Sequence, residues 1–234
     1  MHKQTLIRQI FDRESCTYCY LIADSKTGQA VLIDPVMEQT GQYLALLEEL
    51  GLELIYALDT HIHADHITAL GLLREHTGCE TVMNQLSHAQ CVSREIVDGD
   101  VIEIGATQLV MMATPGHTDD SCCYYLEADG QAYIFTGDTL LIRGTGRTDF
   151  QNGDAATQYD SIMGRLMALD EQTIVYPGHD YKGQTRSTIG EEKLYNPRLQ
   201  VENKAAYIAL MNGLNLPNPK LMDVAVSANK SCGL

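Results

Sequence analysis

The sequence predicts a layered α/β fold, in which short strands build sheets and helices cover them. Three observations lead there. Short apolar runs rich in Val, Ile, Leu and Tyr, punctuated by Gly, Asp or Pro, recur along the chain. Between them lie stretches with apolar residues spaced i, i+3, i+4, i+7, the stripe of a helix resting on a sheet. No internal period repeats, which excludes a solenoid. The 234 residues are 44% apolar, enough to fill a core. No linker-like segment divides them, so a single domain over residues 1–234 is expected.

The elements follow in order. "YLIAD" and "QAVLIDP" flank Ser25 to Gly28 and form a hairpin. Tyr43, Leu46, Leu47 and Leu50 mark an amphipathic helix over Glu38 to Leu50 that stops at Gly51. "LELIYALDT" is a strand that runs straight into a histidine cluster, and His66 to Glu75 is helical with Ile67, Leu70 and Leu73 on one stripe. "TVMN", "DVIEIG", "QLVMMATPG", "SCCYYLEA" and "AYIFTGD" make the middle of the chain β-rich. Asp154 caps a helix whose core face is Tyr159, Ile162, Met163 and Leu166. "TIVYPGHD" is one more strand, and Val201 to Gly213 a last helix.

Charge and composition narrow the function. Sixteen Lys plus Arg against 31 Asp plus Glu give a formal charge of −15, which repels phosphate backbones and acidic membranes; neither nucleic acid nor a membrane is an expected partner. "TLLIRGTGRT" and "YKGQTRSTIG" break this background, each with two basic residues and no acidic one, which suggests an anionic small ligand. "MHKQTLIRQIFDRESC" has no apolar leader and no later run is long enough to span a bilayer, so a cytoplasmic location is expected. The seven cysteines, including "CTYC" (Cys16, Cys19) and "CC" (Cys122, Cys123), are expected as buried reduced thiols rather than disulfides or a zinc site, because a lone CxxC lacks a tetrahedral set.

The chemistry concentrates in "DTHIHADH", Asp59 to His66. In a strand, residues two apart face the same way, so His61 and His63 are expected to aim at one point. Asp65 and His66 face the same cavity from the adjoining turn. Further ligands must come from other strand ends, since a rigid metal site draws on several elements. His117 in "TPGHTDD", Asp138 in "FTGDTL" and His179 in "VYPGHD" each end a strand beside a glycine. His2, His76 and His88 have no such context and are expected on the surface or on helices.

"HIHADH", "GHT", "GD" and "GH", in that order, resemble the metal motifs of the metallo-β-lactamase superfamily, whose fold is a four-layer αββα sandwich with metals at one edge. All seven of its ligand positions are filled, by His61, His63, Asp65, His66, His117, Asp138 and His179. By count alone this implies two metals bridged by Asp138 and a zinc hydrolase like glyoxalase II, which cleaves a glutathione thioester. The rest of the chain resembles another branch. "GDTLLIRGTGRTDFQNGD", "YPGHDYKGQTRSTIGEEKLYNPRL" and "NLPNPKLMDVAVSAN" are similar to the persulfide dioxygenases, which oxidise glutathione persulfide with O2 and water to sulfite and glutathione.

That resemblance implies one Fe(II) per chain, held by His61, His117 and Asp138, with His63, Asp65, His66 and His179 off the metal and bonded to its ligands or water. It also implies glutathione contacts from Arg147, Tyr181 and Arg198, with Asp180 bracing Tyr181, and a possible homodimer. Thr145 stands where some relatives carry cysteine. A persulfide carrier using Cys122 and Cys123, without turnover, is a third reading, which the ring of ligands around one cavity disfavours.

Overall fold

Alternation along the strands decides where each side chain goes. In the computed structural model, which describes residues 4–219, 221–222 and 224–234, β2 (Tyr18–Asp24) is buried along its whole length. Tyr18, Tyr20 and Ile22 point into a core shared with Leu109, Met111 and Phe135 of a second sheet. Cys19, Leu21 and Ala23 point the other way, against Tyr43, Leu47, Leu70 and Leu73 of two helices. β3 (Gln29–Ile33) divides likewise, Val31 and Ile33 inward and Ala30 and Leu32 outward. A strand with no polar face has to be covered on both sides, and this dictates layers.

The first sheet has the order β1-β2-β3-β4-β5-β6, with β1 (Thr5–Phe11), β4 (Glu53–Leu58), β5 (Glu80–Asn84) and β6 (Arg94–Ile96). The second has the order β12-β11-β10-β9-β8-β7, built from β7 (Val101–Ile104), β8 (Thr107–Ala113), β9 (Cys122–Ala128), β10 (Gln131–Gly137), β11 (Ile174–Pro177) and β12 (Ser187–Thr188). Helices α1 (Thr40–Leu50) and α2 (Leu70–Thr77) cover the first sheet. Helices α3 (Ala155–Ser161) and α5 (Lys204–Asn212) cover the second, around Ile134, Ile162, Leu166 and Tyr207. Two short helices, α4 (Ile189–Tyr195) and α6 (Ala225–Asn229), complete the chain. The expected αββα sandwich is what the chain forms.

The structure corrects several expectations. The strand into the histidine cluster stops at Leu58, and α2 starts only at Leu70, so residues 59–69 form an irregular loop. Asp34 is the cause of the early stop: it accepts the Thr60 amide at 2.7 Å and diverts the chain from its ladder. After Asp154 the helix loosens into a π-turn over Ile162–Leu166, which carries Met163 out to solvent; Met167 takes its place in the core. The last predicted helix begins at Lys204, where Asn203 caps it, and not at Val201. Cys19, Cys122 and Cys123 are buried free thiols and Cys16 a half-buried one, but Cys91 and Cys232 form a disulfide across 141 positions. His76 and His88 are exposed as expected; His2 lies outside the described residues. Among the described residues no helix is long and apolar enough to cross a membrane.

Candidate metal centre

Strand direction gathers the loops. β8, β10 and β11 run the same way, so the segments leaving their far ends emerge at one edge of the second sheet. The loop after β4 meets them there: Cys122 N–H donates to the Thr60 carbonyl at 2.9 Å, and Tyr18 N–H to that of Gly178 at 2.7 Å. His61, His117, Asp138 and His179 are thereby brought to one place from four strand ends. The neighbouring glycines are steric necessities. A Cβ on Gly137 would lie 2.4 Å from Thr60 Oγ1, and one on Gly116 2.3 Å from Gln158 Cα, and both residues have positive φ.

His61, His117 and Asp138 present ligand atoms that all lie within 4.8 Å of one another. Hydrogen bonds decide which atoms those are. Thr60 Oγ1 gives its one proton to Asp34 Oδ2 at 3.0 Å, so it must accept from His61 Nδ1, also at 3.0 Å. His117 Nδ1 donates to the Arg147 carbonyl at 2.7 Å. In both rings Nε2 is left as a lone pair facing the cluster, and His117 Nε2 sits 3.7 Å from Asp138 Oδ2. Burial, and then the neighbouring His63 and His117, hold His61 well below the usual histidine range, in the neutral form a metal requires. Two imidazole nitrogens and one carboxylate oxygen, on side chains that are buried or half-buried, fit a divalent transition metal.

His179 does something else. Its Nδ1 lies 2.6 Å from Asp138 Oδ1 and its Nε2 2.9 Å from Asp65 Oδ2, so a carboxylate occupies each nitrogen. Burial alone would lower its pKa, but Asp138 and Asp65 raise it well above the ordinary value, and it stands between them as an imidazolium. Both acids, despite burial, are held well below the usual carboxylate range by this ring, joined by His66 at Asp65 and by His117 at Asp138. Asp65 Oδ2 also accepts from His66 Nδ1 at 2.8 Å and Thr17 Oγ1 at 3.2 Å. His63 does not pair with His61 as a pincer; it turns back, and its Nε2 meets Asp34 Oδ1 at 3.2 Å. Burial works against its charge, yet Asp34, Asp59 and Asp65 lift His63 to about 9. Asp59 lies behind His63, where burial raises it to about 7.

Known proteins resemble this chain in sequence and fold. Residues 16–179 match the model of the metallo-beta-lactamase superfamily. The mouse and human proteins named persulfide dioxygenase ETHE1, mitochondrial, are each 47% identical over 98% of this chain and 89% of their own. The crystal structure of ETHE1 from Myxococcus xanthus superposes with a TM-score of 0.94 at 51% identity, covering 98% of this chain and all of that one. The chain belongs to the persulfide dioxygenase family.

Around that triad the persulfide dioxygenase residues expected to bind substrate take different roles. Arg198 is half-buried, and its Nη1 donates to Thr145 O at 2.5 Å and Thr145 Oγ1 at 3.0 Å, with no carboxylate paired to it among the described residues. The Arg147 guanidinium is already engaged, bidentate with Asp149 at 2.6 and 2.8 Å and bonded to the Pro217 carbonyl at 2.7 Å. Its carbonyl, not its charge, reaches the centre through His117. Tyr181 is exposed and its ring stacks parallel to that of His179 at 6.1 Å. Asp180 braces the turn that carries Tyr181, accepting the amides of Lys182 and Gln184 at 2.7 Å each. The first basic stretch is neutralised, since Arg143 pairs with Glu191 and Glu192 as Arg147 does with Asp149.

Five contributors were not singled out from the sequence: Thr17, Asp34, Thr60, Asp120 and Asn229. Asp34 alone carried a signal, as an acid ending the apolar run "AVLIDP" of a strand parallel to the one entering the histidines.

Proposed function

We propose that this chain is a persulfide dioxygenase that converts glutathione persulfide, O2 and water to glutathione and sulfite, using one ferrous iron held by His61, His117 and Asp138. Two histidines and a carboxylate leave coordination positions open, and iron bound there would supply the redox chemistry that joins oxygen to the terminal sulfur. The protein's own residues supply the rest. Thr60 and the Arg147 carbonyl fix both ring tautomers. His179 occupies Asp138 Oδ1, so that carboxylate offers only Oδ2 to a metal. Arg198, which has no acidic partner among the described residues, pairs with a glutathione carboxylate, and Tyr181 flanks the approach beside His179.

What favours one iron over two zincs is the similarity to the proteins named persulfide dioxygenase, 47% identical over 98% of this chain. His179, with a carboxylate against each nitrogen, fits the role of bracing Asp138 and Asp65 in that reading. One observation favours the second reading, a glyoxalase II-like hydrolase: His63 Nδ1 and His66 Nε2 are buried with no hydrogen-bond partner among the described residues, in a cluster with Asp65. Metal analysis of anaerobically purified protein, with an oxygen electrode during addition of glutathione persulfide, decides between them. The dioxygenase requires about one iron per chain and oxygen uptake; about two zincs with thioester cleavage and no oxygen uptake would replace it with the hydrolase. His63→Ala keeps the iron under the first reading and strips a zinc under the second.

A further inference from the structure

We propose that the Cys91–Cys232 disulfide is a redox latch on the metal-ligand loop, acting through Asn229 as a positioning residue. The loop that leaves β4 has no regular structure of its own, so its shape depends on what packs against it. Segment 224–234 does this. Asn229 is fully buried, and its Nδ2 donates to the carbonyls of both His63 and His66 at 2.9 Å while its Oδ1 accepts the Thr68 amide at 2.9 Å. One side chain satisfies three backbone groups across the HxHxDH stretch, from more than 160 positions away.

The segment is wedged in place. A Cβ on Gly233 would lie 2.3 Å from the Thr68 carbonyl, and one on Gly71 2.7 Å from that of Cys232. Besides the three Asn229 bonds, the ties described are Gln90 N–H to Lys230 O at 3.0 Å, Gly71 N–H to Cys232 O at 2.9 Å, and the disulfide, which is the one covalent tie among them. Cys91 is half-buried and open to attack, whereas Cys232 is buried beside Asn229. A thiolate attacks Cys91 Sγ, breaking the S–S bond and freeing Cys232; a second thiolate attacks the external sulfur of the mixed disulfide and frees Cys91. Two external thiols are oxidised to one disulfide, the protein disulfide is reduced, and the two thiol protons end on Cys91 and Cys232. Any low-molecular-weight thiol serves, including the glutathione released in the proposed reaction. With the latch open, Asn229 holds the loop without covalent support and the loop opens more often.

The effect on catalysis rests on the proposed function, but the latch itself is read separately, by hydrogen exchange at the Thr68 amide. Diamide-oxidised protein is compared with protein reduced by tris(2-carboxyethyl)phosphine, beside Cys91→Ser and Asn229→Ala. Reduction is expected to speed Thr68 exchange roughly tenfold and leave the β2 amides unchanged. Cys91→Ser exchanges fast under both conditions, and Asn229→Ala removes the redox difference. Should Asn229→Ala fail to fold, the other three samples still decide. Loading with cobalt(II) adds a spectroscopic reading, in which the visible band shifts on reduction. Equal Thr68 exchange in the two redox states, or no Cys91–Cys232 cross-linked peptide after diamide, overturns the latch. An unmoved cobalt band despite faster exchange overturns its coupling to the metal. Failure of cobalt to bind at all counts against the metal triad, while the exchange result stands.

Discussion

Thr60 has a single hydroxyl proton, and its delivery to Asp34 settles which nitrogen of His61 faces the centre. The chemistry of the residue can be tested where it acts. Thr60→Val keeps the shape but removes the acceptor, so His61 Nδ1 loses its partner and the ring its fixed tautomer. Metal affinity should fall roughly 10- to 100-fold, measured by competition with a chelating dye, while Thr60→Ser should stay near wild type. Arg198 carries a different expectation. Its Nη1 is held by two bonds to Thr145, which leaves Nε and Nη2 to meet a carboxylate, and a lysine has no further nitrogen to offer. Both Arg198→Ala and Arg198→Lys should raise KM for glutathione persulfide by about tenfold or more with metal content unchanged. A normal KM in Arg198→Ala would remove this residue from the substrate site.

At the scale of the element, sheet edges and caps were legible, and the loops between were not. The hairpin of β2 and β3, α1 ending at Gly51, and the Asp154 cap follow from short-range patterns that read directly in sequence. The loop 59–69 does not, because its shape is imposed by Asp34, Asp120 and Asn229, all distant in sequence. That is why His61 and His63 were expected as a strand-borne pair, and why they diverge. The ligand triad itself came from resemblance; geometry supplies the reason, in the tautomers and the engaged His179. The hairpin offers a pH test. Asp24 is buried and accepts the amides of Lys26, Thr27 and Ala106 at 2.8 to 3.1 Å. Burial opposes its charge, but these bonds lower its pKa from 3.8 to about 2. A carboxyl depressed on folding stabilises the fold above its unfolded value and ceases to do so as pH falls through the folded one. Its contribution is therefore present above about pH 4 and lost toward pH 2, and Asp24→Asn should flatten the urea midpoint over that window. An unchanged slope would assign the acid sensitivity elsewhere.

On the scale of the whole molecule, the inter-sheet core and the net charge act on everything above. Tyr20, Tyr124 and Phe135 fill the space between the sheets and hold the two halves of the metal edge in register. Phe135→Ala should cost about 3–5 kcal/mol of stability, read in denaturant unfolding, because the opposing sheet cannot collapse into the void. Charge governs the encounter with substrate. The chain carries −15, and the first of its basic stretches is neutralised by Glu191, Glu192 and Asp149. Glutathione persulfide is itself an anion, so long-range repulsion slows its approach until Arg198 is within reach. Added salt shortens the range of that repulsion from roughly 30 Å at 0.01 M to roughly 8 Å at 0.15 M, but reaches a half-buried contact much less. Accordingly kcat/KM should rise with ionic strength while kcat stays flat, the reverse of an enzyme that steers its substrate in. Steady-state oxygen uptake at several concentrations of an inert salt measures both. A kcat/KM that falls with salt would show that Arg198, Lys182 and Arg186 set the field at the entrance despite the acidity of the chain.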